Sequence, residues 1–296
     1  MLSGAFFFFI AVAILSYGIQ GSLQTTFARK YDAFTVVLHR NLSLIVTMAP
    51  ILLLVTREEI FEVAEHLPIL ILASSTGAVS ILLAQTSSRY LPIGISTSIR
   101  QVVQIIIAVL IGVVLLNEWL TPIQLLLLAL IVFIGVMLAL LRSDHPHLDP
   151  TKIWTGIFFT AGAGTVVAFS FYFLGLLSRE MNPLVAGYFW EVGVAVFALI
   201  YFVILSLFGK VGERISVSMN DRLKIIGISL LTISATSSYA YALSTGPYAL
   251  AAGLLTATTL VASVMGWVIY KERLTKFQIA LIIAGVGLMF LLKLLS

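Results

Sequence analysis

Ten apolar runs, each of about 20 residues, constrain this chain more than anything else in it, because that is the length a helix needs to cross the hydrocarbon layer of a bilayer. Cut at charged, proline and glycine-rich breaks, the runs fall near 3–26, 33–55, 67–88, 92–116, 121–141, 153–177, 183–208, 222–243, 247–270 and 275–295. In lipid every backbone N–H and C=O must be bonded within the chain, which leaves helices or a closed barrel. Long runs without apolar–polar alternation exclude the barrel. The expected fold class is therefore an all-α integral membrane protein of ten transmembrane helices, with the lipid bilayer as its solvent and no substantial soluble domain. Composition agrees: 60% of residues are hydrophobic and 10% charged, and the mean hydropathy is +1.10, too apolar for a water-soluble exterior. Residues 1–17 lack a basic leader and a small-residue cleavage site, so they read as a first span rather than a signal peptide. Cysteine is absent, which rules out disulfides and thiolate metal sites.

The chain repeats itself. Asn117-Glu118-Trp119-Leu120-Thr121 recurs 154 residues later as Lys271-Glu272-Arg273-Leu274-Thr275, and Gln124 has its counterpart in Gln278. Pro92 and Pro247 each open the fourth span of their half and are expected to bend or break it there. A polar connection from Arg142 to Lys152, with Asp144, His145, Pro146, His147, Asp149 and Pro150, lies at the midpoint. It divides the chain into a first five-helix repeat over 1–144 and a second over 150–296. An odd number of spans per repeat gives the copies opposite orientations in the membrane, a device of secondary transporters. Thr121 and Thr275 also fit as helix N-caps, with Pro122 at the first helical position.

Loop charges set the expected orientation. The side carrying the termini holds Arg57, Arg179 and Lys293; the other holds Arg29, Lys30, Arg89, Arg142, Lys152, Lys210, Arg214, Arg222, Lys224, Lys271, Arg273 and Lys276. The positive-inside bias places both termini outside the cytoplasm.

The Glu-x-Leu-Thr-x-x-Gln motif after the fourth and ninth spans, the glycine-containing last span, and Arg40 within VVLHRNLSLIV resemble the drug/metabolite transporter superfamily, in particular its ten-span EamA-type permeases. The likeness covers nearly the whole chain. The fourth span departs from the family pattern in having no internal proline, and the first copy's last span keeps only Gly135. The resemblance implies proton- or gradient-coupled movement of small metabolites across the plasma membrane, often export of amino acids or related compounds.

Ionisable residues inside a span are costly and normally face the bundle interior, so Arg40, Arg100 and Glu191 are the first candidates for a transport cavity. Arg40 and Arg100 fall at similar depth from the same membrane face, and two cations there call for an anion. Glu191 is one choice; a substrate carboxylate or phosphate, matching the planar guanidinium fork, is the other. Snorkelling or an internal gate would account for the arginines equally well. Glu191 is also a candidate for proton coupling, because removal from water disfavours a carboxylate's charged form. Tyr188 and Trp190 are its expected neighbours.

Tyr17, Gln20 and Gln24 form one polar stripe on the first span, and Arg100, Gln101 and Gln104 another on the fourth, fitting either a hydrated wall or interhelical hydrogen bonds. Of these the expected cavity residues are Tyr17, Gln20 and Gln104, with Arg40, Arg100, Glu191, Tyr188 and Trp190. Thr256, Thr258, Thr259 and Ser263 read as packing, and Gly112, Gly162, Gly164, Gly266, Gly285 and Gly287 as points of close approach.

No phosphate loop, zinc-binding helix motif or serine elbow is present, so no cofactor or metal is expected, and no basic patch suits nucleic acid. An organophosphate or nucleotide-sugar antiporter shares the architecture but needs more cavity cations. A membrane-embedded enzyme needs a cluster of His, Asp or Glu at one membrane face, and none is evident.

Overall fold

Several helices begin at side-chain caps, among them Ser3, Thr56, Asn182, Ser218 and Thr275. The structure, a computed structural model, describes residues 3–31, 33–87, 90–91, 93–141, 150–208, 217–271 and 274–295. The expectations placed on Pro92, on Glu272, on Asp144, His145, Pro146, His147 and Asp149, and on the loop charges Arg89, Arg142, Lys210, Arg214 and Arg273 lie outside the described residues. Among those described, every regular element is helical.

The first repeat comprises α1 (Gly4–Lys30), α2 (Ala33–Thr47) with a 3-10 continuation over Ala49–Leu54, a short surface helix α3 (Arg57–Phe61), α4 (Leu67–Ser87), α5 (Ile93–Leu115) and α6 (Pro122–Leu141). The second comprises α7 (Pro150–Glu180), α8 (Pro183–Leu207), α9 (Met219–Ser229) with α10 (Leu231–Thr245), α11 (Tyr248–Leu255) with α12 (Thr258–Tyr270), and α13 (Lys276–Leu294). Nine described stretches are long and apolar enough to cross a membrane, and Pro122–Leu138 adds a shorter apolar one. Large apolar side chains such as Leu53, Trp119, Phe158 and Leu207 stand outward, as lipid-facing residues do.

Three spans are interrupted. The second tightens to 3-10 beyond Met48, where Pro50 brings no N–H to an α-helical ladder. The eighth is interrupted at Leu230. In the ninth, Pro247 does not break the span: it is the N-cap of α11. The break falls instead at Thr256–Ala257, where the N–H groups of Thr256 and Ala257 turn to Gly253 O (3.2 Å) and Leu254 O (2.9 Å) in 3-10 fashion. The Thr256 hydroxyl donates to the Gly253 carbonyl at 2.6 Å, a local bond that competes with the α-ladder.

The repeated motif has a common local structure. Asn117 and Lys271 both adopt φ 53°, the left-handed conformation that ends a helix. Thr121 and Thr275 then cap α6 and α13. Gln124 N–H donates to Thr121 Oγ1 (3.3 Å) while Thr121 N–H donates to Gln124 Oε1 (2.9 Å), and the Thr275–Gln278 pair does the same at 3.2 and 2.9 Å. These are capping boxes, and they explain why threonine and glutamine recur together three residues apart.

The repeats interleave. α1 lies against α10 and α12, as α7 lies against α4 and α5; α2 meets α8, α5 meets α11, and α6 meets α13. Close approaches occur at glycine. A Cβ on Gly164 would stand 2.6 Å from Arg100 O, and one on Gly112 or Gly285 2.9 Å from a neighbouring side chain. Gly162 and Gly287 are not such points: the first would meet Leu83 at an ordinary 3.5 Å and the second nothing within 4 Å. The apolar core, including Phe6, Ile10, Ile14, Leu174, Leu243 and Tyr248, fills the end of the bundle where α1 begins and α7 finishes.

Candidate substrate cavity

The other end of the bundle encloses a cavity of about 610 Å³. Its wall is drawn from the later part of α1, the start of α2, the later part of α4, the start of α5, the middle of α7, α8, and the break between α11 and α12. Seven of the eight residues singled out from the sequence line it: Tyr17, Gln20, Arg40, Arg100, Gln104, Trp190 and Glu191. Tyr188 does not. One turn before Glu191 on α8, it points to α2 instead, joins Leu44, Met48 and Ile51 in a separate apolar cluster, and donates its hydroxyl to Ile45 O at 3.1 Å.

Glu191 is 2% exposed and anchors a buried polar network. It accepts a hydrogen bond from Thr236 Oγ1 at 2.8 Å, and Tyr17 OH lies 2.8 Å from the same hydroxyl. With Glu191 ionised and Thr236 donating to it, Tyr17 must be the donor to Thr236, giving a directed chain Tyr17 to Thr236 to Glu191. Arg40 Nη2 is 4.0 Å from Glu191 Oε1. The same nitrogen donates to Thr232 Oγ1 at 3.4 Å, and Nη1 donates to Asn41 Oδ1 at 2.7 Å. Gln20 Nε2 donates to Thr232 Oγ1 at 2.5 Å, so one hydroxyl oxygen accepts from both walls.

Thr232 and Thr236 were not among the sequence candidates. They lie one helical turn apart on α10, both fully buried, and that i, i+4 spacing on a polar stripe is the signal that would have found them.

Arg100 differs from Arg40. It lines the same cavity, yet none of the described residues hydrogen-bonds or ion-pairs its guanidinium. Beside it on α5, Gln101 Nε2 donates to Thr256 O at 3.3 Å, meeting a carbonyl at the break in the ninth span. Thr256, Thr258 and Thr259 thus line the cavity, although the Thr256 and Thr259 hydroxyls turn back to their own helix backbone. Trp190 gives its indole N–H to Ala73 O (3.1 Å) and Ser170 Oγ (3.2 Å), with Phe171 5.8 Å away, so these rings offer the cavity an apolar surface. Among the described residues the charged groups of the wall are therefore two arginines and one glutamate, with Glu191 facing Arg40 and Arg100 left uncompensated. No group of three or more His, Cys, Asp or Glu suited to a metal ion occurs among the described residues.

A bundle of apolar helices around a polar, charged cavity, with one span interrupted at the wall, is an architecture of polytopic membrane proteins that could admit a small solute. Comparison with known proteins makes the class specific. The model of the EamA-like transporter family matches residues 3–141 and 154–293, one stretch in each half, and the chain belongs to that family. A solved structure titled only "Crystal structure of protein" shares the fold, with a TM-score of 0.75 at 15% identity over 99% of this chain and 99% of that one. No curated protein gives a significant match.

Proposed function

We propose that this transporter carries a small metabolite with a single carboxylate, such as an amino acid, out of the cell across the plasma membrane by alternating access between two inverted repeats. The observation that carries the reading is Arg100: a guanidinium on the wall of a cavity within the membrane with no protein partner among the described residues. An unpaired charge away from bulk water is costly, and a carboxylate entering the cavity removes that cost through a bidentate pair. In an amino acid the ammonium group would find Glu191 and the glutamine amide oxygens in the same space. A phosphate ester or nucleotide sugar would bring a second negative charge for which the described wall has no free cation, which disfavours the antiporter alternative.

The loop charges support the sidedness this reading needs. By the positive-inside bias both termini lie outside and the cavity occupies the cytoplasmic half, where a solute to be exported would load. The crossed packing of α1 on α10 and α12, repeated by α7 on α4 and α5, supports the inverted arrangement. Proton coupling has a seat in Glu191. A proton taken up on its carboxylate would remove the negative charge facing Arg40, at the end of the Tyr17–Thr236 chain.

The test is uptake and counterflow in proteoliposomes of a radiolabelled panel: aromatic, aliphatic and hydroxyl amino acids, simple monocarboxylates, sugar phosphates and nucleosides, with and without a proton gradient. Exchange of carboxylate solutes, enhanced by a gradient, is the expected result. Exchange confined to sugar phosphates or uncharged solutes would overturn the substrate class.

A further inference from the structure

We infer that Glu118 and Arg179 form a latch that holds the cavity-free end of the bundle shut and must release for the transporter to change state. This inference rests on the alternating-access reading above.

The pair joins a residue of the α5–α6 connection, Glu118, to one in the last turn of α7, Arg179. Arg179, in the last turn of α7, places Nη2 2.7 Å from Glu118 Oε1 and 3.1 Å from the Gly246 carbonyl, and Nε donates to Leu243 O at 3.1 Å. Glu118 uses its second oxygen to accept the backbone N–H of Ala249 at 3.3 Å. One ion pair thus ties the α5–α6 connection of the first repeat to the end of α7, the end of α10 and the start of α11 in the second. Glu118 is aimed by its own backbone. The left-handed residue Asn117 turns the chain back over the end of α5, and Glu118 N–H closes on Gly112 O at 2.8 Å.

Partial exposure, 31% for the Arg179 side chain and 14% for Glu118, leaves the pair open to water on one side, so separation does not strand a charge in lipid. Neither residue lines the cavity. Beneath the pair the core is closed, with Phe6 of α1 pressed on Gly246, whose carbonyl Arg179 holds. Phe6, Ile10 and Ala13 or Ile14 continue the Tyr17–Gln20–Gln24 stripe of α1 at helical spacing into this packed end, so the surface that lines the cavity in this state extends under the latch.

The absence of cysteine allows a direct test with single reporters. Ala13→Cys reports on the latched end and Thr97→Cys on the cavity; each is alkylated in proteoliposomes by a membrane-impermeant maleimide, alone and with Glu118→Gln. Release of the latch shifts the population, so Ala13→Cys should label about tenfold faster, the factor one charge-assisted hydrogen bond is worth, while Thr97→Cys, which reports the major state, should label no faster than before. Faster labelling at both positions means general loosening, and unchanged labelling at Ala13→Cys means no latch; either overturns the inference. Counterflow in the same vesicles keeps the two ideas apart. Solute exchange by the parent together with unchanged Ala13→Cys labelling in Glu118→Gln defeats the latch alone, whereas parent protein that exchanges nothing from the panel defeats the transport reading.

Discussion

Arg40 and Arg100 are the same residue type on one cavity wall, and their surroundings differ. Arg40 is already engaged by Asn41, Thr232 and Glu191, so its removal leaves a buried carboxylate without its cation. Arg40→Gln should therefore lower stability by about 3 kcal/mol, as breaking a buried pair from one side does. The double variant Arg40→Gln with Glu191→Gln should recover most of that loss in thermal unfolding followed in detergent. A double variant no more stable than the single one would show that the two side chains do not interact. Both arginines and Glu191 were legible in the sequence because an ionisable residue stands out in an apolar run. Their division of labour was not, since it depends on Thr232, Thr236 and Asn41, short polar residues that turn back to local backbone as readily as across a bundle. Tyr188 illustrates the same limit: its proximity to Glu191 in sequence says nothing of the χ angle that sends its ring to α2.

At the level of helices, the contacts that shape the cavity wall are made by backbones in close approach. Gly164→Ala would drive a Cβ against Arg100 O at 2.6 Å and push α7 from α5, costing about 1–3 kcal/mol. Gly162→Ala, two residues away, meets only Leu83 and should be neutral or stabilising by up to about 1 kcal/mol through helix propensity. Equal melting shifts for the two would contradict the packing described. On the surface, α3 is tethered when Asn182 Nδ2 donates to Glu59 Oε1 at 2.8 Å, and this bond, followed by those from Thr56, holds the Glu59 carboxyl below its ordinary value. A lowered folded-state pKa contributes stability that is present above the unfolded value and lost as pH falls through the folded one. Amide protection across 56–66, taken relative to the intrinsic exchange rate at each pH, should thus fall on acidification, and Asn182→Asp, which keeps the α8 cap but sets a second carboxylate against Glu59, should weaken or reverse that pH dependence. Span positions were legible because the bilayer dictates length and polarity at once. The interruptions were not: Pro247 marked a cap, and the break fell at Thr256–Ala257, which no helix-breaking residue announces.

Taken whole, the molecule has one packed end and one hollow end, and both repeats contribute to each. On the function proposed above, that asymmetry is one state of an alternating-access cycle, with the cavity open at one end and the Glu118–Arg179 pair across the closed end. The twofold repeat was legible from four identical residues, Glu118, Leu120, Thr121 and Gln124 against their counterparts, because capping boxes and left-handed turns are written locally. The hollow was not, since a cavity is what packing leaves unfilled. The central claim is that the free guanidinium of Arg100 holds the substrate's carboxylate. Counterflow of the carboxylate solute found in the panel, compared between the parent and Arg100→Gln at matched amounts of folded protein, tests it most directly. A rise in the half-saturating concentration of tenfold or more, about 1.4 kcal/mol or above, is the predicted result; an unchanged value in Arg100→Gln would contradict the account.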